Sequence, residues 1–525
     1  MSDSKETYGA APLSHRQILI ALSGLMLGML LAALDQTIVA TALPTIVGDL
    51  GGLKHLSWVV TAYLLSSTAV TPLYGKLSDL FGRKKLFQFA IVVFLIGSAL
   101  AGLSQNMGEL IAFRALQGIG GGGLFAMVLS IIGDIVPPRE RGKYQGYLGA
   151  VFASASVFGP LAGGFLTDQI SWRWIFYVNL PVGIFALIVT SAVLKLPVKH
   201  VDHKIDFLGS ALITAAVTSA LLVTVWGGVT YAWTSPTIIT LEILAVALVA
   251  LFIFVETKAS EPILPLRLFR DRVFSVSSTL GFISGFSLFG AVIFLPEYMQ
   301  VVRGVSATKS GLMLIPLTIG IVFGSVGSGQ IITRIGKYKV FPVVGSIVLT
   351  IGFYLLSLIA INTAYWKEAI YMAATGIGLG LTIQVIVLAT QNSVDFKDMG
   401  TATSAVTFFR TMGGAIGTSF FGNILVNRLT FNLGRLGAGK SASGAAASLM
   451  GGTPQALDKL PPAIHLGLLE AFVRSLHVVF LFAIPFAAVA IIFAIILPEK
   501  PLRSVAAIAG GSKAEEEDIP LFVAE

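Results

Sequence analysis

Long apolar runs separated by short polar turns make up most of the chain. Each run contains about 20 residues with little charge, which is the length an α-helix needs to cross the hydrocarbon core of a bilayer. The spacing of the runs predicts fourteen membrane spans and an all-α integral membrane fold. The predicted spans cover residues 17–40, 56–75, 86–104, 109–134, 144–166, 173–194, 206–226, 237–256, 273–298, 310–332, 340–361, 368–391, 401–427 and 472–497.

The turns between these runs differ in their content of Lys and Arg. Because fourteen is an even number, both termini lie on one side, and most cations fall in the turns on that side, including the cluster "GKLSDLFGRKK" at 75–85. Cations favour cytoplasmic loops. The pattern therefore predicts a cytoplasmic N-terminal segment 1–16, a cytoplasmic tail 498–525 and a long external loop at 428–471.

The composition narrows the class of protein further. Apolar residues form 55% of the chain and charged residues 12%, whereas a soluble domain carries about 25% charged residues. The net charge of +8 fits cytoplasmic turns better than nucleic-acid binding. Without cysteine, and with no HExxH-like pair among six histidines, the chain offers no disulfide, thiolate metal site or cysteine nucleophile. We expect no catalytic residues, no metal and no cofactor, and hence no enzyme.

Several short stretches of the chain recur in the same order. The cluster at 75 is echoed by "GQIITRIGKYK" at 329, an offset of 254 residues, and "GIGGGG" at 118 is echoed by "GIGLGL" at 376, an offset of 258 residues. Because this offset contains eight predicted helices, it predicts two six-helix halves, at 17–194 and 273–497, and an inserted pair of spans at 195–272. Such repeated halves are typical of rocker-type transporters, whose substrate site lies at the midplane between them.

Charged residues inside the predicted spans are candidate functional groups, because a charge in a bilayer is costly. Asp35 in span 1 and Arg114 in span 4 fall in the outer half of the membrane, at depths that allow them to meet. A carboxylate in a region of low dielectric beside an arginine is suited to load and release a proton. Three roles are open at this point: proton coupling, a static ion pair and direct contact with substrate.

Other residues are candidates for a substrate cavity. Arg410 lies near mid-depth in span 13, where it can meet an anion, a buried carboxylate or a helix C-terminus. Glu297 follows the proline near the outer end of span 9, where it can bind a cation, take a second proton or stay hydrated. Gln117, Tyr63 and Phe286 can line an apolar pocket, although aromatic residues in such spans more often pack in the core or face lipid.

Glycines mark two of the spans. The run 118–123 lies inside span 4, and no strand precedes it and no Gly-Lys follows it, so it indicates close helix packing rather than a nucleotide loop. The stretch "GPLAGG" at 159–164 places Pro160 inside span 5. Because proline lacks a backbone N–H, this position predicts a point of flexion.

Five stretches of the chain together resemble one family of transporters. "GKLSDLFGRKK", "RALQGIGGG" from Arg114 and "GPLAGG" resemble the loop 2–3, span-4 and span-5 antiporter motifs of the major facilitator superfamily. "LDQTIVATALP" from Leu34 and "WRWIFYVNLPVG" from Trp172 resemble signatures of its fourteen-span drug:proton antiporters, of the EmrB/QacA type. The resemblance covers residues 17–497 and implies the major facilitator fold, with spans arranged as six, two inserted and six.

The resemblance also implies roles for single residues. It makes Asp35 and Arg114 the proton-coupling pair. It assigns a gating loop, which comprises Gly75, Asp79, Gly82, Arg83 and Arg141. It also assigns an antiporter bend, which comprises Gly159, Pro160, Gly163 and Gly164. We expect Asp79 to cap a helix N-terminus and to pair with a cation such as Arg141, so that it latches the two halves. The alternative is that the cluster at 75–85 serves only topology and turn formation.

These features together predict a proton-coupled exporter of amphipathic compounds, and Glu297 slightly favours cationic ones. We expect a monomer in a bacterial inner (plasma) membrane, and we expect the proton gradient to drive its export. Its expected partners are the lipid bilayer, the proton and a small amphipathic substrate, with no nucleic acid. The alternative cargo is an endogenous lipid, siderophore or secondary metabolite. A receptor or scaffold, a primary pump and an uptake porter are disfavoured.

Overall fold

The computed structural model describes most of the chain. The described residues are 15–50, 56–136, 138–194, 206–228, 231–259, 262–292, 294–435 and 462–503. They form seventeen α-helices and two short 3-10 helices, and they contain no strand.

The helices of the first part of the described chain end before residue 260. They are α1 (His15–Leu50), α2 (Leu56–Phe81), α3 (Arg83–Leu103), α4 (Met107–Ile135), α5 (Pro138–Gln169), α6 (Trp174–Tyr177), α7 (Asn179–Val193), α8 (Phe207–Trp226) and α9 (Pro236–Glu256). The remaining helices are α10 (Arg272–Val292), α11 (Leu295–Arg303), α12 (Ala307–Met313), α13 (Ile315–Ile335), α14 (Val340–Ser357), α15 (Tyr365–Ser393), α16 (Met399–Leu433) and α17 (Pro462–Ile496). The 3-10 helices are Leu266–Arg270 and Phe396–Asp398.

The long helices correspond to the apolar runs of the sequence. Each of the fourteen predicted spans overlaps one of the described helices that have 15 residues or more. Ten described helices are long and apolar enough to cross a membrane. The all-helical architecture is therefore confirmed for the described residues, whereas the number of crossings and their arrangement as six, two and six stay predictions.

Three predicted spans are interrupted where the chain contains proline. The run 310–332 forms α12 and α13, with Pro316 in the first turn of α13. The run 273–298 forms α10 and α11, with Pro296 in the first turn of α11. The run 173–194 forms α6 and α7, with Pro181 in the first turn of α7. Proline lacks the N–H that a helix interior needs and clashes with the preceding turn, so it favours the start of a new helix.

The predicted loop at 428–471 is helical at both ends. α16 continues to Leu433, and α17 begins at Pro462 rather than near residue 472. Residues 436–461 lie outside the described residues, as do 1–14 and 504–525 of the two predicted cytoplasmic segments. The helical ends extend the packing surface that α16 and α17 share, and Asn432 Nδ2 donates to Ser475 Oγ across it at 3.0 Å.

The helices pack in two sets. In the first set, α4 lies against α2 and α3, and α1 lies against α5 and α7. In the second set, α10 lies against α16, α15 against α13 and α14, and α14 against α17. The main contacts between the sets are α2 with α16 and α5 with α13.

Helices α8 and α9 pack on each other beside the two sets. α8 also contacts α2 and α16, one helix from each set. The outer surface of α9 carries large apolar side chains, such as Ile243 and Val246, which are 65% and 71% exposed. In water, an exposed apolar surface of this kind would promote aggregation, but in lipid it is the expected outer face of a peripheral helix.

Candidate functional site

A buried polar cluster surrounds Asp35 in the first set of helices. Asp35 Oδ2 lies 2.5 Å from Arg114 Nη1, and Asp35 Oδ1 accepts a hydrogen bond of 2.8 Å from Gln117 Nε2. Asn179 Nδ2 donates to the same Oδ1 at 3.2 Å. Asp35 is 0% exposed and Arg114 is 1% exposed. The structure thus brings together the acid and the base that the sequence placed at similar depths.

A second layer of hydrogen bonds fixes the members of this Asp35 cluster. Ser98 Oγ accepts from Gln117 Nε2 at 3.1 Å and from Asn179 Nδ2 at 2.9 Å. Arg114 Nη1 donates to Gln117 Oε1 at 2.6 Å, and the guanidinium carbon lies 4.4 Å from the centre of the Tyr63 ring. The cluster therefore ties α1, α3, α4 and α7 together through one carboxylate.

The acid and the base of this cluster compensate each other's charge. With Asp35 ionised, the pair is neutral overall and each charge is compensated, which a low-dielectric site requires. Protonation of Asp35 would leave the guanidinium of Arg114 without its counterion. Because the pair is buried, a single proton would change the balance of forces between α1 and α4.

Glycines allow α4 to approach α2 and α3 closely at this level. A Cβ at Gly97 of α3 would lie 2.5 Å from the backbone nitrogen of Gln117. A Cβ at Gly122 would meet the backbone of Ser67 on α2, and one at Gly120 would meet the backbone of Phe94 on α3. The glycine run 118–123 is thus the packing surface that the sequence indicated.

Replacing Gly97 with alanine is expected to destabilise the protein by about 1–3 kcal/mol, because the new methyl group overlaps the backbone of α4 and cannot be absorbed by a side-chain rotation. The measurement is thermal unfolding of purified protein in detergent. Gly327→Ala in α13 is the matched control, since a Cβ there has no neighbour within 4 Å. Equal melting temperatures for the two variants would contradict the packing argument.

A second cluster, the turn cluster, lies where α2 turns into α3. Arg83 Nη2 lies 3.1 Å from Asp79 Oδ1, and Arg83 Nε lies 2.7 Å from Asp134 Oδ2 at the end of α4. Arg83 Nη1 also donates to the carbonyl of Ser130 at 2.6 Å. Gly82 joins the two helices with a φ of +92°, a conformation that glycine adopts without strain. One guanidinium thus bridges two acids and the backbone of α4.

Asp79 also reaches the second set of helices. Its Oδ2 accepts hydrogen bonds from the backbone N–H of Thr401 at 2.9 Å and from the hydroxyl of Thr401 at 3.0 Å. Thr401 lies in the first turn of α16, whose N–H groups lack partners within the helix and favour a negative charge. Gly75 and Gly400 make the approach possible, because a Cβ at Gly75 would lie 2.5 Å from the Cβ of Ser404. Asp79 therefore caps a helix across the interface between the sets.

The cation that pairs with Asp79 is Arg83 and not Arg141, so the expected partner was wrong. Arg141 is buried in α5, and its Nε donates to the carbonyl of Val136 at 2.8 Å while Nη2 donates to the carbonyl of Gly133. These carbonyls belong to the C-terminal end of α4, where a cation is favourable. Arg141 therefore joins the first turns of α5 to the end of α4, on the same face as the turn cluster.

The residues of the expected antiporter bend lie in α5, which continues from Pro138 to Gln169 through Pro160, Gly163 and Gly164. Gly159 is buried against α1, and a Cβ there would overlap the side chain of Thr37. Thr37 Oγ1 donates to the carbonyl of Ala155 at 3.0 Å. The close contact between α1 and α5 thus lies two residues beyond Asp35.

The five substrate-cavity candidates lie in different environments. Gln117 and Tyr63 belong to the Asp35 cluster and are fully buried. Phe286 is also buried, and its ring centre lies 4.5 Å from that of Phe486, in a group of packed rings. Arg410 lines a small cavity between α10, α15 and α16, with room for about one water molecule. Glu297 lies in the first turn of α11, and its buried Oε1 has no hydrogen-bond partner among the described residues.

Comparison with known proteins gives the family. The model of the Major Facilitator Superfamily matches residues 25–418. The chain belongs to the Major Facilitator Superfamily. It is therefore a multi-pass membrane transporter rather than an enzyme, and the family recognised in its motifs is confirmed at the level of the superfamily.

Two relatives of this transporter match nearly its whole chain. An uncharacterised MFS-type transporter of Mycobacterium tuberculosis strain H37Rv is 43% identical over 93% of this chain and 70% of the relative. The multidrug transporter protein MdtP of Bacillus subtilis strain 168 is 39% identical over 93% of this chain and 94% of the relative. Among solved structures, the proton:xylose symporter XylE superposes with a TM-score of 0.61 over 94% of this chain and 99% of that chain, at 14% identity. This last likeness shows the fold alone.

Sequence reasoning missed several partners in these sites of the transporter. Asn179 stands within "WRWIFYVNLPVG". It is a polar residue inside an apolar predicted span, which is a signal that could have identified it. Ser98 and Thr401 offered no such signal, because serine and threonine are common in membrane helices and usually bond to their own backbone. Trp172 and Arg173 from the same signature bind Asp49 at 2.8 Å and 3.1 Å near the end of α1, and these hydrogen bonds lower the pKa of Asp49.

Proposed function

We propose that this protein is a proton-coupled secondary exporter of amphipathic compounds, of the fourteen-span drug:proton antiporter type. The observation that carries the proposal is the buried pair of Asp35 and Arg114, a single acid and a single base held together inside the first set of helices. A proton that crosses 100 mV supplies about 2.3 kcal/mol. Export of drugs is further supported by relatives that are named multidrug transporters and efflux pumps.

The coupling we propose runs through α4. This helix carries Arg114 in the Asp35 cluster and Asp134 in the turn cluster, and the 20 residues between them correspond to ~30 Å of helix. Protonation of Asp35 releases Arg114 from its counterion and so changes the forces that hold α4 against α1. Because Asp134 binds Arg83, and Arg83 binds Asp79, a shift of α4 alters the cap on α16.

The proposal includes an orientation of the chain in the membrane. By the excess of Lys and Arg in its turns, the face with the turn cluster is cytoplasmic, and both termini lie there. The bond from Gln391 Nε2 of α15 to the carbonyl of Leu129 of α4, at 2.9 Å, joins the two sets on this face in addition to the Asp79 cap. In the proposed orientation, these two contacts hold the two sets together on the cytoplasmic side.

The decisive experiment reconstitutes the purified protein into proteoliposomes with an imposed pH gradient. We expect proton movement that depends on an amphipathic substrate, and substrate movement that depends on the gradient. A panel of cationic dyes, neutral drugs and lipids identifies the cargo, and a preference for lipids would favour the alternative endogenous cargo. Substrate movement that is unaffected when the gradient is collapsed would refute proton coupling.

Replacing Glu297 with glutamine is expected to reduce transport of cationic substrates by about 10-fold, because a carboxylate bound to a cation contributes about 1.5–3 kcal/mol. Neutral substrates should be transported at the wild-type rate. The buried Oε1 of Glu297, which has no partner among the described residues, supports this expectation. Glu242→Gln is the charge-matched control, since Glu242 is exposed on α9. An equal loss for cationic and neutral substrates would point to a structural role instead.

A further inference from the structure

Beyond α17 the chain continues as a segment without regular structure, residues 498–503, which lies against the second set of helices. We call this segment the C-terminal strap. Tyr338, in the turn between α13 and α14, donates from its hydroxyl to the carbonyl of Pro498 at 3.0 Å and accepts from the N–H of Lys500 at 3.0 Å. Its own backbone N–H donates to Glu499 Oε1 at 3.0 Å. The first half of the strap is therefore fixed to one turn of the second set.

The second half of the strap is bound at the end of α15. Asn392 Nδ2 donates to the carbonyl of Pro501 at 3.0 Å, and Asn392 Oδ1 accepts from the N–H of Arg503 at 3.1 Å. Arg503 Nη1 donates to the carbonyl of Val394 at 3.1 Å, and its guanidinium carbon lies 5.6 Å from the centre of the Phe396 ring. Because Asn392 is only 2% exposed, its amide depends on the strap for these partners.

The turn that holds the strap repeats the turn of the turn cluster. Gly336 stands 254 residues after Gly82, and both have a positive φ, of +75° and +92° respectively. Thr333, however, stands 254 residues after Asp79, so the second turn lacks the acid that the first turn uses to cap α16. The backbone of the repeat is thus kept, while its charge is lost.

The start of α16 also lacks the cation that the start of α5 provides. Met399 stands 258 residues after Arg141, whose Nε donates to the carbonyl of Val136. The carbonyl of Val394, which stands 258 residues after Val136, accepts instead from Arg503. The strap therefore brings a guanidinium to the C-terminal end of α15, where a cation is favourable, as Arg141 does at the end of α4.

The acid at the end of α4 is replaced by an amide. Asn392 stands 258 residues after Asp134, which binds Arg83 in the turn cluster. An ionised carboxylate only accepts hydrogen bonds, whereas an amide also donates them. The strap uses both functions, because Pro501 presents a carbonyl and Arg503 presents an N–H. The side chain at position 392 therefore suits a backbone segment better than an ion pair.

The strap ends beside the segment that leads into α16. Phe396 begins the second 3-10 helix, α16 follows it directly, and Thr401 lies in the first turn of α16. Lys500 Nζ of the strap lies 2.7 Å from Asp271 Oδ2, immediately before α10, and α10 packs along α16. The position of Thr401, which Asp79 caps from the first set, is thus set by elements that the strap joins.

We propose that the C-terminal strap is a positioning element for the contact between the two sets of helices. It supplies in the second set the bonds that charged residues of the chain supply in the first. It holds the start of α16 where Thr401 meets Asp79. Its role in the transport cycle rests on the proposed export function, whereas its effect on α16 does not.

Hydrogen exchange of the purified full-length protein, followed by mass spectrometry, tests the positioning without transport. In the wild type we expect protected amides in the strap and in the first turn of α16. Asn392→Leu removes the amide that binds the strap, and we expect exchange to become about 10-fold faster in both places, because two hydrogen bonds of a buried group are lost. Lys337→Gln is the control, since Lys337 is exposed in the same turn as Tyr338, and it should leave both regions unchanged.

A second variant separates positioning from a general loss of stability. Arg503→Gln changes an exposed side chain, so a folded variant is available if Asn392→Leu is unstable. We expect it to slow export by about 5-fold in the wild type and by less than about 2-fold in the Asp79→Asn background, because changes that act through one contact are not additive. Arg503→Lys keeps the charge and should restore part of the rate. Equal factors in the two backgrounds would show that the strap acts independently of Asp79.

Two further results would overturn the proposal. Strap amides that exchange at the unprotected rate in the wild type would mean that the strap is not attached. Faster exchange in the strap with unchanged exchange in α16 would mean that an attached strap positions nothing.

The same measurements distinguish this inference from the proposed function. Proton-coupled export by the wild type, with exchange in α16 insensitive to Asn392→Leu, refutes the strap and leaves the exporter intact. Faster exchange in α16 in Asn392→Leu, without proton-coupled export by the wild type, refutes the exporter and leaves the positioning role of the strap.

Discussion

Replacing Asp35 with asparagine is expected to abolish the coupling of export to the proton gradient. In the wild-type protein, a gradient of 100 mV and one proton per cycle support an accumulation ratio of up to about 50-fold. The amide of asparagine takes up no proton at physiological pH, so the accumulation ratio should fall to about 1. Fluorescence of a pH-sensitive dye inside proteoliposomes, recorded together with substrate movement, measures both quantities.

This expectation depends on separating proton coupling from a static ion pair. Asp35→Asn alone leaves Arg114 buried without its counterion, which costs about 3–5 kcal/mol and can impair folding. The double variant Asp35→Asn with Arg114→Gln restores charge balance and keeps polar side chains for Gln117 and Asn179. A static pair predicts that the double variant regains gradient-driven transport together with stability. Coupling through Asp35 predicts that it regains stability and not transport.

Replacing Asp79 with asparagine is expected to weaken the contact between α2 and α16 and to slow transport by about 10-fold or more. The change removes the negative charge that binds Arg83 and stabilises the N-terminus of α16. Charge-assisted hydrogen bonds of this kind contribute about 1.5–3 kcal/mol. Asparagine still accepts one hydrogen bond, so insertion and folding should persist. Transport in proteoliposomes and the melting temperature together measure the effect.

The same variant can be followed as a distance between the sets of helices. The chain has no cysteine, so spin labels can be placed at Phe81→Cys and Lys397→Cys, which are exposed positions near the turn cluster. We expect a longer and broader distance distribution in Asp79→Asn than in the wild type. Glu140→Gln, an exposed charge in the first turn of α5, is the matched control. Unchanged distances with normal transport would mean that the cluster at 75–85 serves only topology and turn formation.

Local pattern predicted the helical elements well, because the bilayer imposes a length and a polarity on each span. The positions of all fourteen long helices followed from apolar runs alone. The ends were less accurate where proline or a helix extension decided them, as in α10, α11 and the start of α17. In those places the apolar run gives no sign of the helix boundary. The boundary is set by proline, which lacks the N–H that a helix interior needs, or by packing that extends the helix beyond the apolar run.

The candidate sites were predictable to different degrees. A charge within an apolar span is visible in the sequence, which is why Asp35, Arg114 and Arg410 were found. Their partners were less visible, since Ser98, Asn179 and Thr401 are polar residues of a kind that many membrane helices contain. Arg141 was named as a cation that could pair with Asp79, but its guanidinium donates instead to carbonyls at the C-terminal end of α4.

The sequence by itself determined the class of protein, the positions of the helices and the charged residues that stand inside apolar spans. These depend on composition and on periodic burial, which act locally along the chain. Only the tertiary structure decided which of those residues meet: that Asp35 binds Arg114, that Asp79 caps α16 across the interface, and that Arg410 has no counterion among the described residues. The reason is that such contacts join residues up to 322 positions apart, and the approach of one helix to another depends on the packing of all their neighbours.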